Sequence, residues 1–176
     1  GTFRVSCISS FIHSHIADDL CEFQNEHPEL TVELEQHDRF CDPVQEGFDV
    51  CLQTGQNSSG ILEASEIFPV RRLIVATPEY IKNNGLPSKP DDLPQHRFCH
   101  NTFIEPDCCI NLSFPKGIKP IPIQPIIQTN TIWMLRAAIM SNEYMAVMPA
   151  FFIEEEIISG RLVAVLPEVQ LKSIMI

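Results

Sequence analysis

Residues 75–97, VATPEYIKNNGLPSKPDDLPQHR, limit what this chain can fold into more than any other stretch. An apolar run, Leu73 to Ala76, stops at Thr77-Pro78, a helix-start signal. A helical turn follows, then Gly85, then a connection carrying Pro87, Pro90 and Pro94. Proline holds φ near one value and has no N–H to donate, so this connection continues neither a helix nor a central strand. A chain punctuated in this way leaves one lobe and enters another.

On either side of that passage, strands alternate with helices. Phe3 to Ile8 reads as a buried strand. Ile12, Ile16, Leu20 and Phe23 mark one face of a helix over Phe11 to Asn25, which His27-Pro28 stops. Leu30 to Glu35 alternates as a second strand, completing a βαβ unit. Pro43 to Glu46 is a short helix closed by Gly47, and Phe48 to Leu52 is a third strand. QNSSG, 56–60, is a polar loop. Residues 66–76 read as one long strand that ends at the crossover. Beyond it, Phe98 to Asn101, Cys109 to Phe114 and Ile121 to Ile127 are strands, the last two around Pro115-Lys116-Gly117. Thr129-Asn130-Thr131 offers cap chemistry to a helix over Ile132 to Met140. Tyr144 to Met148 is a buried strand, Phe151 to Ile158 a helix stopped by Gly160, and Leu162 to Val165 a returning strand. Val169 to Ile176 is expected to pair on the first sheet. The alternation argues α/β with mostly parallel sheets.

The 176 residues suffice for one domain or two small lobes, and 44% hydrophobic with 20% charged residues is globular composition. No apolar run approaches the ~20 residues that span a bilayer. The net charge of −11 is the wrong sign for reading nucleic acid, so DNA contact is expected only through a segment outside this chain. Seven cysteines in no framework spacing read as reduced, buried thiols of a cytoplasmic protein. There is no CxxC, and the histidines at 13, 15, 27, 37, 96 and 100 show no ligand spacing, so no metal and no cofactor are expected. His13 and His15 fall on different helix faces. Without GxSxG, HExxH, P-loop or GxGxxG, an enzyme is not expected.

The crossover stretch, together with DRFCDPVQEGFDVCLQTG (Asp38 to Gly55), resembles the effector-binding domain of LysR-type transcriptional regulators, and the likeness runs from FRVSCISS to LVAVLPE. The resemblance implies an α/β chain with two Rossmann-like lobes joined by two crossover strands, the type 2 periplasmic binding-protein fold. Lobe I would be 1–75 and 166–176, and lobe II 76–165, with a hinge near Ala76–Pro78 and Leu166–Glu168. The family's DNA-binding winged helix-turn-helix and its last helix are expected outside residues 1–176. It further implies a homodimer or tetramer, with the helix Phe11 to Asn25 of one subunit near Ile132 to Met140 of another.

In open α/β sheets ligands sit at the carboxyl ends of strands, near helix N-termini. Here those ends carry Ser9, Ser10 and Phe11; His37-Asp38; Gln53 and Thr54; Asn101 and Thr102; Thr129, Asn130 and Thr131; and Met148 and Pro149. Such hydroxyls and amides suit a small organic acid or similar polar effector, and they are equally ordinary helix caps. Many family members carry Arg where Gln53 stands, and its loss weakens the case for a strongly anionic effector. His37 is either a proton-dependent contact or a solvated loop residue. Arg71 and Arg72 read as a solvated sheet edge, with Glu66 as a possible partner, and Glu154-Glu155-Glu156 as a solvated helix start. Two other readings stay open. One is a periplasmic solute-binding protein. The other is a redox sensor of the same family, in which His100 activates Cys99 toward a disulfide with Cys108 or Cys109.

Overall fold

A computed structural model of the chain describes residues 1–12, 16–54 and 63–175. The predicted loop 56–60, together with His13 and His15, lies outside the described residues. The chain divides into two compact units, Gly1–Pro69 with Ile174–Ile176, and Val70–Ser173.

Unit 1 is built on a parallel sheet of order β2-β1-β3, where β1 is Thr2–Cys7, β2 Thr31–Gln36 and β3 Val50–Leu52. Cys7 is level with Gln36 on one side and Leu52 on the other, so all three strands end along one edge. After β1 come α1 (Ser9–Phe11) and, past 13–15, α2 (Ala17–Glu26). Asp18 and Asp19 sit in the first turn of α2, where the helix dipole favours negative charge. His27 ends it by donating its N–H to the Phe23 and Gln24 carbonyls. Phe23 meets Phe3 of β1 at 5.1 Å between centroids, yet α2 contains no buried residue.

The short helix α3 (Pro43–Glu46) shows how local chemistry sets an element. The Asp42 carboxylate accepts from Val44 N and Gln45 N, and Pro43 occupies the first turn. Gly47 takes φ 73° at the C-terminal end. Arg4 of β1 donates to the Glu46 and Gly47 carbonyls at 3.2 and 2.8 Å, with its guanidinium 4.8 Å from the centre of the Phe48 ring.

The predicted strand 66–76 is two pieces, β4 (Pro69–Val70) at the boundary between the units and β5 (Arg72–Ala76) in unit 2. Pro69 cannot donate to a ladder, and residues 63–68 form no strand. β5 is the middle of an antiparallel sheet between β10 (Ala146–Pro149) and β11 (Val163–Val165). The two crossover passages, near Ala76–Pro78 and Leu166–Glu168, therefore lie inside unit 2. The parallel pair is β6 (Phe98–Asn101) with β9 (Pro125–Thr129). β7 (Cys109–Phe114) and β8 (Gly117–Pro122) form a hairpin across Pro115-Lys116, so the expected strand Ile121–Ile127 is split between β8 and β9. Parallel and antiparallel pairing are both present, where mostly parallel pairing was expected.

The Pro-rich connection folds as its sequence predicts. Thr77 caps α4 (Pro78–Asn84) by accepting from Tyr80 N, and Gly85 closes it. A 3-10 turn over Pro90–Gln95 buries Leu93. Tyr80 is buried as well, its hydroxyl 3.1 Å from His96 Nδ1 and accepting from Arg97 N. These two side chains fasten the connection to a core that includes Ile74, Phe98, Ile110 and Met145. A second core lies under α5 (Ile132–Met140) and includes Leu135, Ile139, Met148 and Leu162. The predicted helix Phe151–Ile158 begins as a 3-10 turn, Ala150–Ile153, and continues as α6 (Glu154–Ile158). The last segment departs from expectation. Ser113 N donates to Gln170 O and Lys172 N to Asn111 O, so this stretch runs beside β7. Only β12 (Ile174–Met175) follows, and it pairs with β4 rather than with the first sheet.

Two charged groups expected in solvent are inside. Arg72 forks onto Glu105 at 3.3 and 3.4 Å, with both side chains more than nine-tenths buried. Alternation along β5 turns Arg72 inward, while its predicted twin Arg71 stays exposed. Glu156 is buried too and accepts from Arg136 Nε at 3.0 Å, so only Glu154 and Glu155 form a solvated face.

Candidate functional site

The carboxyl edge of the unit 1 sheet gathers Ser9, Ser10, Phe11, His37, Gln53 and Thr54. Ser9 is fully engaged in structure. Its N–H and hydroxyl donate to the two Asp38 oxygens at 2.9 and 2.7 Å, which ties the end of β2 to the start of α1. Ser10 is buried beside it. Phe11 is buried with its ring 5.3 Å from Phe68. Gln53 accepts from Cys41 N at 2.9 Å and donates to Cys41 O at 3.2 Å, so the residue standing in place of the family's Arg pins a loop. Thr54 is half-buried. The His37 side chain is only 12% exposed, which overturns the solvated-loop reading. Its Nε2 lies 3.2 Å from Glu35 Oε2, its ring meets Phe48 edge-on, and its Nδ1 is buried without a partner among the described residues.

The corresponding edge of unit 2 is where β6 and β9 end level, Asn101 opposite Thr129. Asn101 Oδ1 accepts from Phe103 N and Ile104 N, which closes a turn after β6. Thr102 donates from N and Oγ1 to Thr129 O. Thr129 Oγ1 accepts from Thr131 N, and Asn130 is exposed. Thr131 occupies the cap position of α5, but its side chain makes no cap hydrogen bond, contrary to the expected capping. Met148 is fully buried in the core under α5 and Pro149 is half-buried at the end of β10. The strand ends thus come together as two edges, one per unit. Ser10 and Thr54 lie on the unit 1 edge, Asn101 and Thr131 on the unit 2 edge.

The cysteine chemistry differs from the redox reading. All seven are free. Burial pushes the Cys99 thiol up to about 11, and burial with the nearby Asp38 charge pushes Cys7 up to about 12. His100 does not serve Cys99, because its Nε2 donates to Glu105 O at 2.6 Å. The close pair is instead Cys41 and Cys51, with sulfurs 3.4 Å apart. Beside them, ligand atoms of His37, Cys41 and Glu46 lie within 4.8 Å of one another. Sequence reading passed over this group. Its only trace is the spacing H-x3-C-x4-E-x4-C across 37–51, which matches no established ligand pattern.

Comparison with known proteins places this geometry. A family model for the LysR substrate binding domain matches residues 1–176. The HTH-type transcriptional activator AaeR of Escherichia coli K12 is 27% identical over 172 residues, covering 97% of this chain and 55% of AaeR. An uncharacterized HTH-type transcriptional regulator of Haemophilus influenzae is 26% identical over 172 residues, covering 96% of this chain and 58% of the regulator. The chain thus spans just over half the length of these curated relatives. Among solved structures, the regulatory domain of AphB from Vibrio vulnificus superposes with a TM-score of 0.81 at 25% identity, covering 99% of this chain and 88% of that one. The full-length virulence activator AphB of Vibrio cholerae gives 0.82 at 22% identity, covering 99% of this chain and 59% of that one.

Proposed function

The chain belongs to the LysR substrate-binding domain family, with the α/β type 2 periplasmic binding-protein fold of LysR regulatory domains, and from that premise we propose that it senses a small polar organic molecule on behalf of a DNA-binding transcription factor in the cytoplasm. With a net charge of −11, the DNA contact falls to a winged helix-turn-helix outside these residues. No helix among the described residues is long and apolar enough to cross a membrane.

The observation that carries the reading is the pair of strand-end edges. Ser10 is buried at the carboxyl end of β1. In unit 2, Thr131 precedes the α5 N-terminus, the positive end of its dipole, and Asn101 stands opposite Thr129. An effector held at either edge works as a switch only if it binds one conformer of the regulator better than another. Homo-oligomerisation through α2 and α5 is part of the proposal. No residue of α2 is buried within the chain, and on α5 Trp133 and Met134 are 41% and 38% exposed.

A thermal-shift screen against organic acids, amino acids, aromatic acids and nucleosides tests it. A ligand at 100 times its Kd stabilises by about 2.7 kcal/mol, or roughly 5–10 °C for a domain of this size. Loss of the shift in Ser10→Ala or Thr131→Ala supports the site. A shift that survives both variants removes these residues from it, and an unresponsive domain removes the sensing role. Light scattering of the wild type against Leu20→Glu with Trp133→Glu tests the assembly. A wild type that stays monomeric at high concentration refutes that part.

A further inference from the structure

We propose that His37, Cys41, Glu46 and Cys51 bind one divalent cation of the zinc class in unit 1. The inference goes beyond effector sensing and does not depend on it.

The strongest pointer is the His37 ring. Its Nδ1 is buried and has no hydrogen-bond partner among the described residues, whereas its Nε2 faces the Glu35 carboxylate at 3.2 Å. A carboxylate that accepts from Nε2–H leaves Nδ1 as a bare lone pair. This is the outer-shell arrangement that fixes the tautomer of metal-bound histidines. A ring nitrogen of His37, the Cys41 sulfur and a Glu46 carboxylate oxygen lie within 4.8 Å of one another. Nδ1 is 3.9 Å from Glu46 Oε2. The Cys51 sulfur lies 3.4 Å from that of Cys41. Ligands around a tetrahedral zinc with Zn–S near 2.3 Å stand about 3.4–3.8 Å apart, so the His37, Cys41 and Glu46 atoms must close in by up to about an ångström, and Cys51, which touches Cys41 but lies outside their 4.8 Å group, must turn its side chain to complete the set.

Each donor is held by its surroundings. His37 N donates to Cys7 O. The Cys41 backbone is clamped at N and O by Gln53. Glu46 closes α3, between the Asp42 cap and Gly47, with Arg39 forked on its carboxylate at 2.8 and 2.6 Å. Cys51 sits on β3, level with Ser6 of β1. Sulfur, imidazole and one carboxylate select a borderline-soft ion over magnesium or calcium. On binding, the ion displaces the Cys41 and Cys51 protons to solvent. Its two charges offset the two thiolates, while Arg39 offsets Glu46. The half-buried Glu46 side gives the ion a way in.

The test uses Co2+ as the probe on the reduced, chelator-treated domain without oxygen. Expected are one cobalt per chain, thiolate-to-cobalt charge-transfer absorption, tetrahedral bands in the visible, and displacement by Zn2+. Cys41→Ser and Cys51→Ser should each lower the charge-transfer band, and His37→Gln should weaken binding about tenfold or more. Cys21→Ser should change nothing. Because Cys41 is buried and its replacement can disturb folding, the wild type supplies a second readout. Zn2+ should shield Cys41 and Cys51, and not Cys21, from N-ethylmaleimide in peptide mass spectrometry. The proposal is overturned by absent stoichiometric binding, by a wild-type spectrum retained in both cysteine variants, or by equal labelling of Cys41 and Cys51 with and without Zn2+.

Discussion

Replacing Glu105 with alanine should destabilise unit 2 by about 3–5 kcal/mol, the penalty for breaking one side of a buried ion pair. Arg72 and Glu105 side chains are 4% and 7% exposed. The fork between them is 3.3 and 3.4 Å, and Glu105 Oε1 also accepts from Asn111 N and Nδ2, each at 3.2 Å. Without the carboxylate, the Arg72 guanidinium keeps one neutral acceptor, Lys172 O at 2.7 Å, and the Asn111 amide loses its own. The pair is imperfect, since Arg72 Nε is already buried without a partner among the described residues, which favours the lower end of the range. At roughly 2–4 °C per kcal/mol for this size, the melting temperature should fall by roughly 6–20 °C. Urea denaturation of wild type, Glu105→Leu, Arg72→Met and the Arg72→Met/Glu105→Leu double variant closes the cycle, with Glu105→Ala measured beside it. The double variant should recover most of the loss, because an apolar pair carries no desolvated charge. A single-variant loss below about 1 kcal/mol, the behaviour of an exposed pair, would refute the reasoning.

Three further predictions come from the same chain. The hydrogen bonds from Arg39 hold the Glu46 carboxyl down at about 2, against an ordinary 4.5. A depressed carboxylate stabilises the fold above its unfolded pKa, so this contribution should fade as pH falls from about 4.5 to about 2, and acid titration of Glu46→Gln should lack that component. In iodoacetamide labelling at about pH 7, exposed Cys21 should react first. Cys99, raised to about 11, and Cys7 and Cys51, each raised to about 12 chiefly by burial, should react last, and mass spectrometry reads the order. Gly47→Ala should cost about 1–2 kcal/mol, since φ is 73° and the added Cβ meets Arg4 Nη1 at 3.1 Å. Gly160→Ala, also at φ 73° but with nothing within 4 Å, should lose only the backbone part, and chemical denaturation compares the two.

The sequence by itself determined the elements whose signals are local. Asp42-Pro43 and Gly47 bracket α3, Thr77-Pro78 and Gly85 bracket α4, and Pro115-Lys116-Gly117 turns the β7–β8 hairpin. Caps, stops and turns act within a few residues, so they can be read without knowing what lies across the fold. The helix Ile132–Met140 was legible for the same reason, and so were the strand ends that nominate Ser10, Asn101 and Thr131. Tertiary structure alone decided which of those groups stay available. Ser9 has the same hydroxyl as its neighbour Ser10, and Gln53 the same amide as Asn101, but Asp38 and Cys41 claim them. It also decided that Arg72 turns inward to a carboxylate 33 residues away, that Gln170–Lys172 lies along β7, and that His37, Cys41 and Glu46 converge, with Cys51 against Cys41. Those outcomes depend on which distant backbone arrives beside each residue. Packing chooses that partner by burying apolar surface elsewhere in the chain, and no sequence window around the residue records the choice.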